Sequence, residues 1–162
     1  MEFLPLENRA SFDFDTKIQE LETKIGFTLP RDYKLFLKTH NGVIPNHRRY
    51  SCMFRLKRCS EKEDFLHVLY GLFLDDERLT LAYNYDFRKQ WFGKSNDILP
   101  IGNSPFGVTL ILKANGKVFA WDDTFYYRSS NMFRCVYKIS DSFTGFIDGL
   151  TWKQLDDGDH SK

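Results

Sequence analysis

The sequence is poor in cysteine, proline and glycine and has no long apolar run, and each shortage excludes a class of protein. Its three cysteines, Cys52, Cys59 and Cys135, form an odd set without C-x-x-C spacing, which argues against a secreted disulfide framework and a thioredoxin-like redox pair. Five prolines and ten glycines among 162 residues are too few for a collagen-like or low-complexity chain. No apolar run reaches the ~20 residues of a membrane span. We therefore expect a cytoplasmic protein with free, non-catalytic thiols and no membrane partner.

The charge is balanced and the aromatic content is high. The chain has 23 Lys and Arg against 22 Asp and Glu, a formal net charge of +1, so a nucleic-acid partner would need a local basic patch. Phe, Tyr and Trp make up 17% of the residues. A single core of this size needs fewer rings, so we expect some of them to line a recognition surface.

Helical periodicity marks the N-terminal third of the chain. The spacing of Thr16 and Gln19 is that of a capping box and predicts a first helix over Lys17–Ile25. Pro30 suits the first position of a second helix, which Asn41-Gly42 should end. The apolar face of this second helix consists of Tyr33, Phe36, Leu37 and His40.

Strand patterns and one further helix are predicted in the middle of the chain. Alternation over residues 50–57 predicts a half-buried strand, residues 60–64 a turn, and residues 65–74 a second strand. A middle helix over residues 77–89, capped by Asp76, would bury Leu79, Ala82, Tyr83 and Phe87.

The C-terminal half has the strongest strand signals. Asn115-Gly116 predicts a hairpin between strands 108–112 and 117–121, and residues 133–139 predict one more strand. Ser140 or Asp141 would cap a closing helix that buries Phe143, Phe146, Ile147 and Leu150. We therefore predict an α+β fold with a single domain over residues 1–162. It has a mostly antiparallel central sheet, two packed N-terminal helices, a middle helix, a C-terminal helix and a frayed acidic tail over residues 155–162.

Catalytic, cofactor and metal motifs are weak. The segment from Gly102 to Gly107 has the glycine spacing of a phosphate loop but lacks the following Lys-Ser/Thr pair, so a tight loop is the better interpretation. No metal-ligand spacing joins the neighbouring His and Cys residues, which are His40, His47, Cys52, Cys59 and His67. Asp122 and Asp123 are best interpreted as solvated turn acids. We predict no cofactor, no metal and no catalytic residue.

Three sequence elements, in order, carry a resemblance to a known family. The first comprises Ile18, Leu21, Glu22, Ile25-Gly26, Leu29-Pro30, Asp32-Tyr33, Phe36-Leu37 and Asn41-Gly42. The second comprises Leu99-Pro100-Ile101-Gly102, Gly107, Gly116, Val118-Phe119 and Trp121-Asp122, and the third Ser142-Phe143 with Phe146. Together they resemble the SUKH superfamily, which joins the fungal Smi/Knr cell-wall regulators to bacterial toxin-immunity proteins. The resemblance spans residues 18–150, but residues 43–98 and the insertion-like residues 124–137 follow no family pattern.

The resemblance implies a protein that binds a partner without catalysis. Bacterial members typically neutralise a polymorphic or contact-dependent toxin, so the expected partner is the C-terminal domain of a cognate toxin. A regulatory adaptor of the same fold, a small hydrolase and a nucleic-acid-binding domain remain alternatives.

Partner contacts would rest on variable surface residues that combine Arg with aromatic rings. The candidates are Arg48, Arg49, Tyr50, Phe54, Arg55, Phe125, Tyr126, Tyr127 and Arg128. For each ring the alternative is a place in the core. The basic side chains between positions 47 and 58 are also the best candidates for nucleic-acid contact. The acidic residues Glu61, Glu63 and Asp64 follow them, however, and weaken the local positive potential.

Overall fold

Four helices and ten strands are formed by residues 3–6, 13–93 and 95–155, which a computed structural model describes. The helices are α1 (Phe14–Ile25), α2 (Arg31–His40), α3 (Leu81–Arg88) and α4 (Phe143–Asp148). The strands are β1 (Phe3–Pro5), β2 (Val43–Pro45), β3 (Tyr50–Arg55), β4 (Glu63–Phe65), β5 (Val68–Leu69), β6 (Ile98–Asn103), β7 (Thr109–Lys113), β8 (Val118–Trp121), β9 (Val136–Ser140) and β10 (Thr151–Gln154). No helix of this described part is long and apolar enough to cross a membrane.

The strands form two antiparallel sheets, which confirms the predicted α+β class. The larger sheet has the order β1-β2-β5-β6-β7-β8-β9, and the smaller has the order β10-β3-β4. The predicted hairpin joins β7 to β8. Gly116 has a φ of 84° and its N–H donates to the carbonyl of Lys113 (2.9 Å), a geometry that suits glycine in a tight turn. The predicted frayed tail lies outside the described residues after Leu155.

The two N-terminal helices are present, with earlier or later starts than predicted. Asp13 is the N-cap of α1, and its carboxylate accepts from the backbone N–H of Thr16 (3.1 Å). Thr16 therefore lies in the first turn and is not the cap. Pro30 precedes the first residue of α2, and Asn41 ends that helix in the left-handed region as predicted. The apolar faces of both helices join one core with the larger sheet.

Residues 65–74 do not form the single strand that their apolar character predicts. Instead, β4 belongs to the smaller sheet and β5 to the larger one. The chain crosses between the sheets at Leu66 and His67, whose N–H groups donate to the carbonyls of Cys52 and Asn103. Both sheets thus share this segment. The chain does bend at Ser60 and Glu61, as predicted, but Glu63 and Asp64 of the predicted turn belong to β4.

The middle and C-terminal helices also differ from prediction. A 3-10 turn over Glu77–Leu79 comes first, and Thr80 then caps α3. The buried residues of α3 are Leu81 and Asn84. Asn84 can be buried because its amide donates to the carbonyls of Arg78 (2.8 Å) and Thr80 (2.9 Å). The predicted apolar face is wrong for Tyr83 and Phe87, which are exposed, whereas Leu79 is partly buried against the core.

The cap of α4 is Ser142, whose hydroxyl accepts from the N–H of Gly145 (3.0 Å), and not Ser140 or Asp141. The predicted apolar residues of this helix do enter the core, with Phe143, Phe146 and Leu150 buried. β9 begins three residues later than predicted, at Val136.

Candidate functional site

The first predicted run of arginines and aromatic rings, residues 48–55, does not form one continuous surface. Residues 50–55 form β3, the central strand of that sheet. Arg48 and Arg49 are exposed in the turn before β3, and Arg55 is exposed at its other end, where it faces Glu63 of β4 (3.4 Å). Because a six-residue strand spans roughly 20 Å, these arginines do not form one patch. Tyr50 is half-buried and packs edge-on against Trp152.

Two of the predicted contact rings are core residues. Phe54 points into the molecule from β3 and packs edge-on against Phe146. Tyr127 is also buried, and its hydroxyl donates to Asp64 Oδ2 (2.5 Å). The prediction that these two rings touch a partner is corrected: their polar and apolar contacts are satisfied inside the fold.

Three other rings meet at the surface. Phe106 and Tyr126 stack with ring centroids 4.5 Å apart and an interplanar angle of 7°, and Phe65 packs edge-on against Phe106 at 6.4 Å. Phe65, Phe106 and Tyr126 are 37%, 44% and 48% exposed. We call these three residues the aromatic surface cluster. It joins the end of β4 to the β6–β7 loop and the β8–β9 connection, and so spans both sheets.

A buried carboxylate holds the β8–β9 connection in place. Asp122, which is fully buried, accepts from the backbone N–H groups of Tyr126 and Tyr127 (both 2.8 Å) and from the hydroxyls of Thr124 (3.1 Å) and Ser130 (2.5 Å). Hydrogen bonds to an ionised acceptor are short and strong. The expectation that Asp122 is solvated is therefore wrong, whereas Asp123 is exposed as expected.

The backbone beside this carboxylate turns sharply. Phe125 has a φ of 55°, in the left-handed region that bulky side chains rarely adopt. The rings of Phe125 and Tyr126 are exposed, and that of Tyr127 is buried. The N–H groups of the next two residues, Tyr126 and Tyr127, donate to Asp122, and these hydrogen bonds stabilise the strained conformation of Phe125.

A charged rim borders the cluster. A cleft of about 430 Å³ is lined by Ser60, Glu61, Tyr126 and Arg128. The Glu61 carboxylate accepts from the backbone N–H of Arg128 (2.5 Å), from the Ser60 hydroxyl and from the Cys59 thiol (3.0 Å). Partial burial opposes ionisation of Glu61, but these hydrogen bonds outweigh it and lower its pKa to about 2. Glu61 is thus charged at neutral pH and ties the β3–β4 turn to the β8–β9 connection.

The cysteines and the segment from Gly102 to Gly107 are the residues on which thiol or phosphate-loop chemistry would depend. All three cysteines are free, as predicted, and burial raises the pKa of each thiol, that of Cys52 to about 12. A raised pKa disfavours the reactive thiolate. Gly107 has a φ of 86° and closes a tight loop, because its N–H donates to the carbonyl of Ser104. This geometry confirms the loop interpretation of the segment. Within the described residues, no three His, Cys, Asp or Glu side chains are grouped as metal ligands.

Sequence reasoning missed Phe65 and Phe106. A usable signal existed for Phe106, because it stands between Pro105 and Gly107 in a turn that joins two strands, where side chains are exposed. Phe65 had no such local signal, since its exposure depends on where the chain crosses between the sheets.

Comparisons with known proteins place the chain in a family. The profile of the SMI1 / KNR4 family (SUKH-1) matches residues 15–149. The chain is also similar to the SPbeta prophage-derived uncharacterized protein YokK of Bacillus subtilis (strain 168). The two are 26% identical over 174 residues, which cover 91% of this chain and 86% of that protein. The profile match covers most of the chain and agrees with the three sequence elements. The chain therefore belongs to the SMI1 / KNR4 family (SUKH-1).

Proposed function

We propose that this chain is a non-catalytic immunity protein that acts in the cytoplasm and neutralises a cognate toxin by binding its C-terminal domain. The observation that carries this proposal is the aromatic surface cluster, fixed by the buried Asp122 and bordered by Glu61 and Arg128. Family membership supports a binding role, and the free thiols suit a reducing compartment.

The cluster has the physical properties of a binding hot spot. Its rings offer large apolar area, and stacking orders them before a partner arrives, so binding loses little side-chain entropy. Exposed Phe125 extends the apolar area, while Arg128, Arg55 and Glu63 supply charges of both signs around it. Such a rim selects a partner by charge complementarity.

Arg48, Arg49 and Tyr50 form a second part of the proposed surface. Arg48 and Arg49 lie in the turn before β3, and half-buried Tyr50 is the first residue of that strand, so this part contributes only if the toxin extends along the outer face of the smaller sheet. This face carries Met53, which is paired with Phe65 and leads from one group to the other.

A regulatory adaptor of the same fold would use the same surface for another partner. The similar protein YokK derives from a prophage. We take this origin to favour toxin immunity over a cellular regulator.

The proposal is tested by growth rescue. The C-terminal domain of the proposed cognate toxin is expressed with the wild-type chain, with Tyr126→Ala, or with Tyr83→Ala. Tyr83→Ala is the matched control, because it removes an exposed ring outside the cluster. We expect Tyr126→Ala to weaken binding about 10- to 100-fold and to reduce rescue, and Tyr83→Ala to leave both unchanged. Equal rescue by the two variants would place the interface elsewhere. Hydrolysis of a substrate by purified protein that binds no toxin would overturn the proposed class.

A further inference from the structure

A second surface feature is a basic cleft beside β9, at the edge of the larger sheet. The cleft has a volume of about 470 Å³. Phe119 and Tyr137 contribute to its floor, and its cationic residues are Lys57, Arg58, Arg134 and Lys138. None of the described residues that line it is acidic. We call these four cations and their floor the basic cleft.

The four cations converge from three segments of the chain. The backbone N–H of Lys57 donates to the carbonyl of Lys138 (2.8 Å), which fixes the β3–β4 turn against β9. Arg58 follows with a φ of 60°, a left-handed conformation. Arg134 belongs to the β8–β9 connection, where its backbone exchanges two hydrogen bonds with Asn131 (both 3.0 Å). The positive charges are therefore held together by backbone structure.

One carboxylate lies at the border of the cleft and does not neutralise it. Asp141 pairs with Lys138 and with Lys57 (3.7 Å). The hydrogen bond from Lys138 lowers the pKa of Asp141, and the fields of Lys57 and Lys117 lower it further. Four lining cations against one bordering carboxylate leave an excess of positive charge for a ligand to neutralise.

An apolar tip stands beside the basic cleft. Met132 and Phe133 are 80% and 95% exposed. The tip is an ordered turn, because Asn131 Oδ1 accepts from the N–H of Phe133 (2.9 Å) in addition to the backbone bonds with Arg134. A fixed turn that presents two large apolar side chains to water, next to arginine, is typical of a protein contact.

We propose that the basic cleft and the Met132-Phe133 tip bind an acidic segment of a protein partner, whose carboxylates enter the cleft while the tip enters an adjacent apolar pocket. This surface is distinct from the aromatic surface cluster, and the proposal does not depend on toxin binding. Nucleic acid fits less well, since the tip also exposes Met132, whose aliphatic side chain suits an apolar pocket of a protein and offers no ring on which a base could stack.

The test measures fluorescence anisotropy with a labelled peptide in which Glu alternates with Leu, and with a matched peptide that has Gln in place of Glu. We expect the Glu peptide to bind, more weakly as salt increases, and the Gln peptide not to bind. Arg134→Glu should weaken binding by about tenfold, and so should Phe133→Ala. Lys153→Glu makes the same charge change on exposed β10, outside the cleft, and should change affinity by less than about twofold.

A second variant separates charge from folding. Arg58→Gly removes a cation but suits the positive φ at this position, so the protein should remain folded by circular dichroism while it loses affinity for the Glu peptide. Unchanged affinity in Arg58→Gly and Arg134→Glu would overturn the proposal, and so would equal binding of the Gln peptide. A single-stranded oligonucleotide and phosphatidylserine-containing vesicles are tested in the same way. If either binds more tightly than the Glu peptide and loses affinity in Arg58→Gly, the cleft belongs to a different class of partner and the proposal is overturned.

Discussion

Replacing Asp122 with Asn should destabilise the protein far more than the same change at its neighbour. The buried carboxylate of Asp122 accepts from two backbone N–H groups and two hydroxyls. Asn has nearly the same shape, but one of its two polar atoms is an NH₂ group that cannot accept. The Ser130 hydroxyl can rotate and accept from this group, whereas the N–H of Tyr127 cannot. The substitution therefore leaves a buried N–H without an acceptor.

The cost of Asp122→Asn follows from two contributions. A buried donor without an acceptor costs about 1–3 kcal/mol. The remaining bonds lose the negative charge that strengthens them, and a bond to a neutral acceptor is roughly half as strong as one to a carboxylate. The sum is about 3 kcal/mol of unfolding free energy, a substantial part of the stability of a small domain.

Urea denaturation followed by tryptophan fluorescence measures this cost. For a typical m-value of about 2 kcal/mol/M, the midpoint of Asp122→Asn should fall by roughly 1.5 M. Asp123→Asn is the matched control, because Asp123 is exposed, and it should stay within about 0.5 kcal/mol of wild type. Equal midpoints for the two variants would refute the reasoning that Asp122 anchors the β8–β9 connection.

Three further predictions concern the core, the rim and the thiols. Phe54→Ala should lower the unfolding free energy measured by urea denaturation by about 3–5 kcal/mol, because it empties a core position. Phe133→Ala should stay within about 0.5 kcal/mol of wild type, because Phe133 is exposed. Similar losses in the two variants would contradict the burial of Phe54 and the exposure of Phe133. The pKa of Glu61 is about 2 against an ordinary 4.5, so its contribution to stability is present above pH 4.5 and is lost as pH falls towards 2. The melting temperature should therefore fall less between pH 4.5 and pH 2 for Glu61→Gln than for wild type. Parallel plots of melting temperature against pH for the two proteins would refute the anchoring role of Glu61. Thiol titration under denaturing, non-reducing conditions should find all three cysteines, with buried Cys52 unreactive in the native protein; a count of one would indicate a disulfide.

Local signals in the sequence predicted the parts of the fold that local contacts determine. The β7–β8 hairpin follows from Asn115-Gly116, because the turn and its two strands are adjacent in the chain. The ends of α1 and α2 follow from Gly26 and Asn41, which adopt the left-handed conformation that closes a helix. These elements needed no knowledge of distant contacts.

The sequence did not predict two buried polar residues, although their partners are close in the chain, and it did not predict the contacts between distant segments. Asp122 accepts from four donors that lie two to eight residues further along the chain, but the side-chain types of this segment are equally typical of a solvated turn. Asn84 replaces an apolar residue on the buried face of α3 because two carbonyls of the preceding turn accept from its amide. The aromatic surface cluster requires the crossing between the sheets, which no periodicity reveals. Its member Tyr126 belongs to a predicted contact run and is exposed, but the neighbouring Tyr127 of the same run is buried, and the sequence did not distinguish the two.

One segment outside the three sequence elements described above carries parts of both proposed surfaces. Residues 124–137 supply Tyr126 to the aromatic surface cluster, and Phe133 and Arg134 to the tip and the basic cleft. The family signature, in contrast, supplies caps, turns and core residues such as Phe143.

The most direct test of this account is a calorimetric titration of the purified chain with the C-terminal domain of the proposed cognate toxin. The account predicts saturable one-to-one binding that Tyr126→Ala weakens at least about tenfold and that Tyr83→Ala leaves unchanged. Absence of binding by the wild-type protein, or equal affinity of the two variants, would contradict the claim that the aromatic surface cluster binds a toxin.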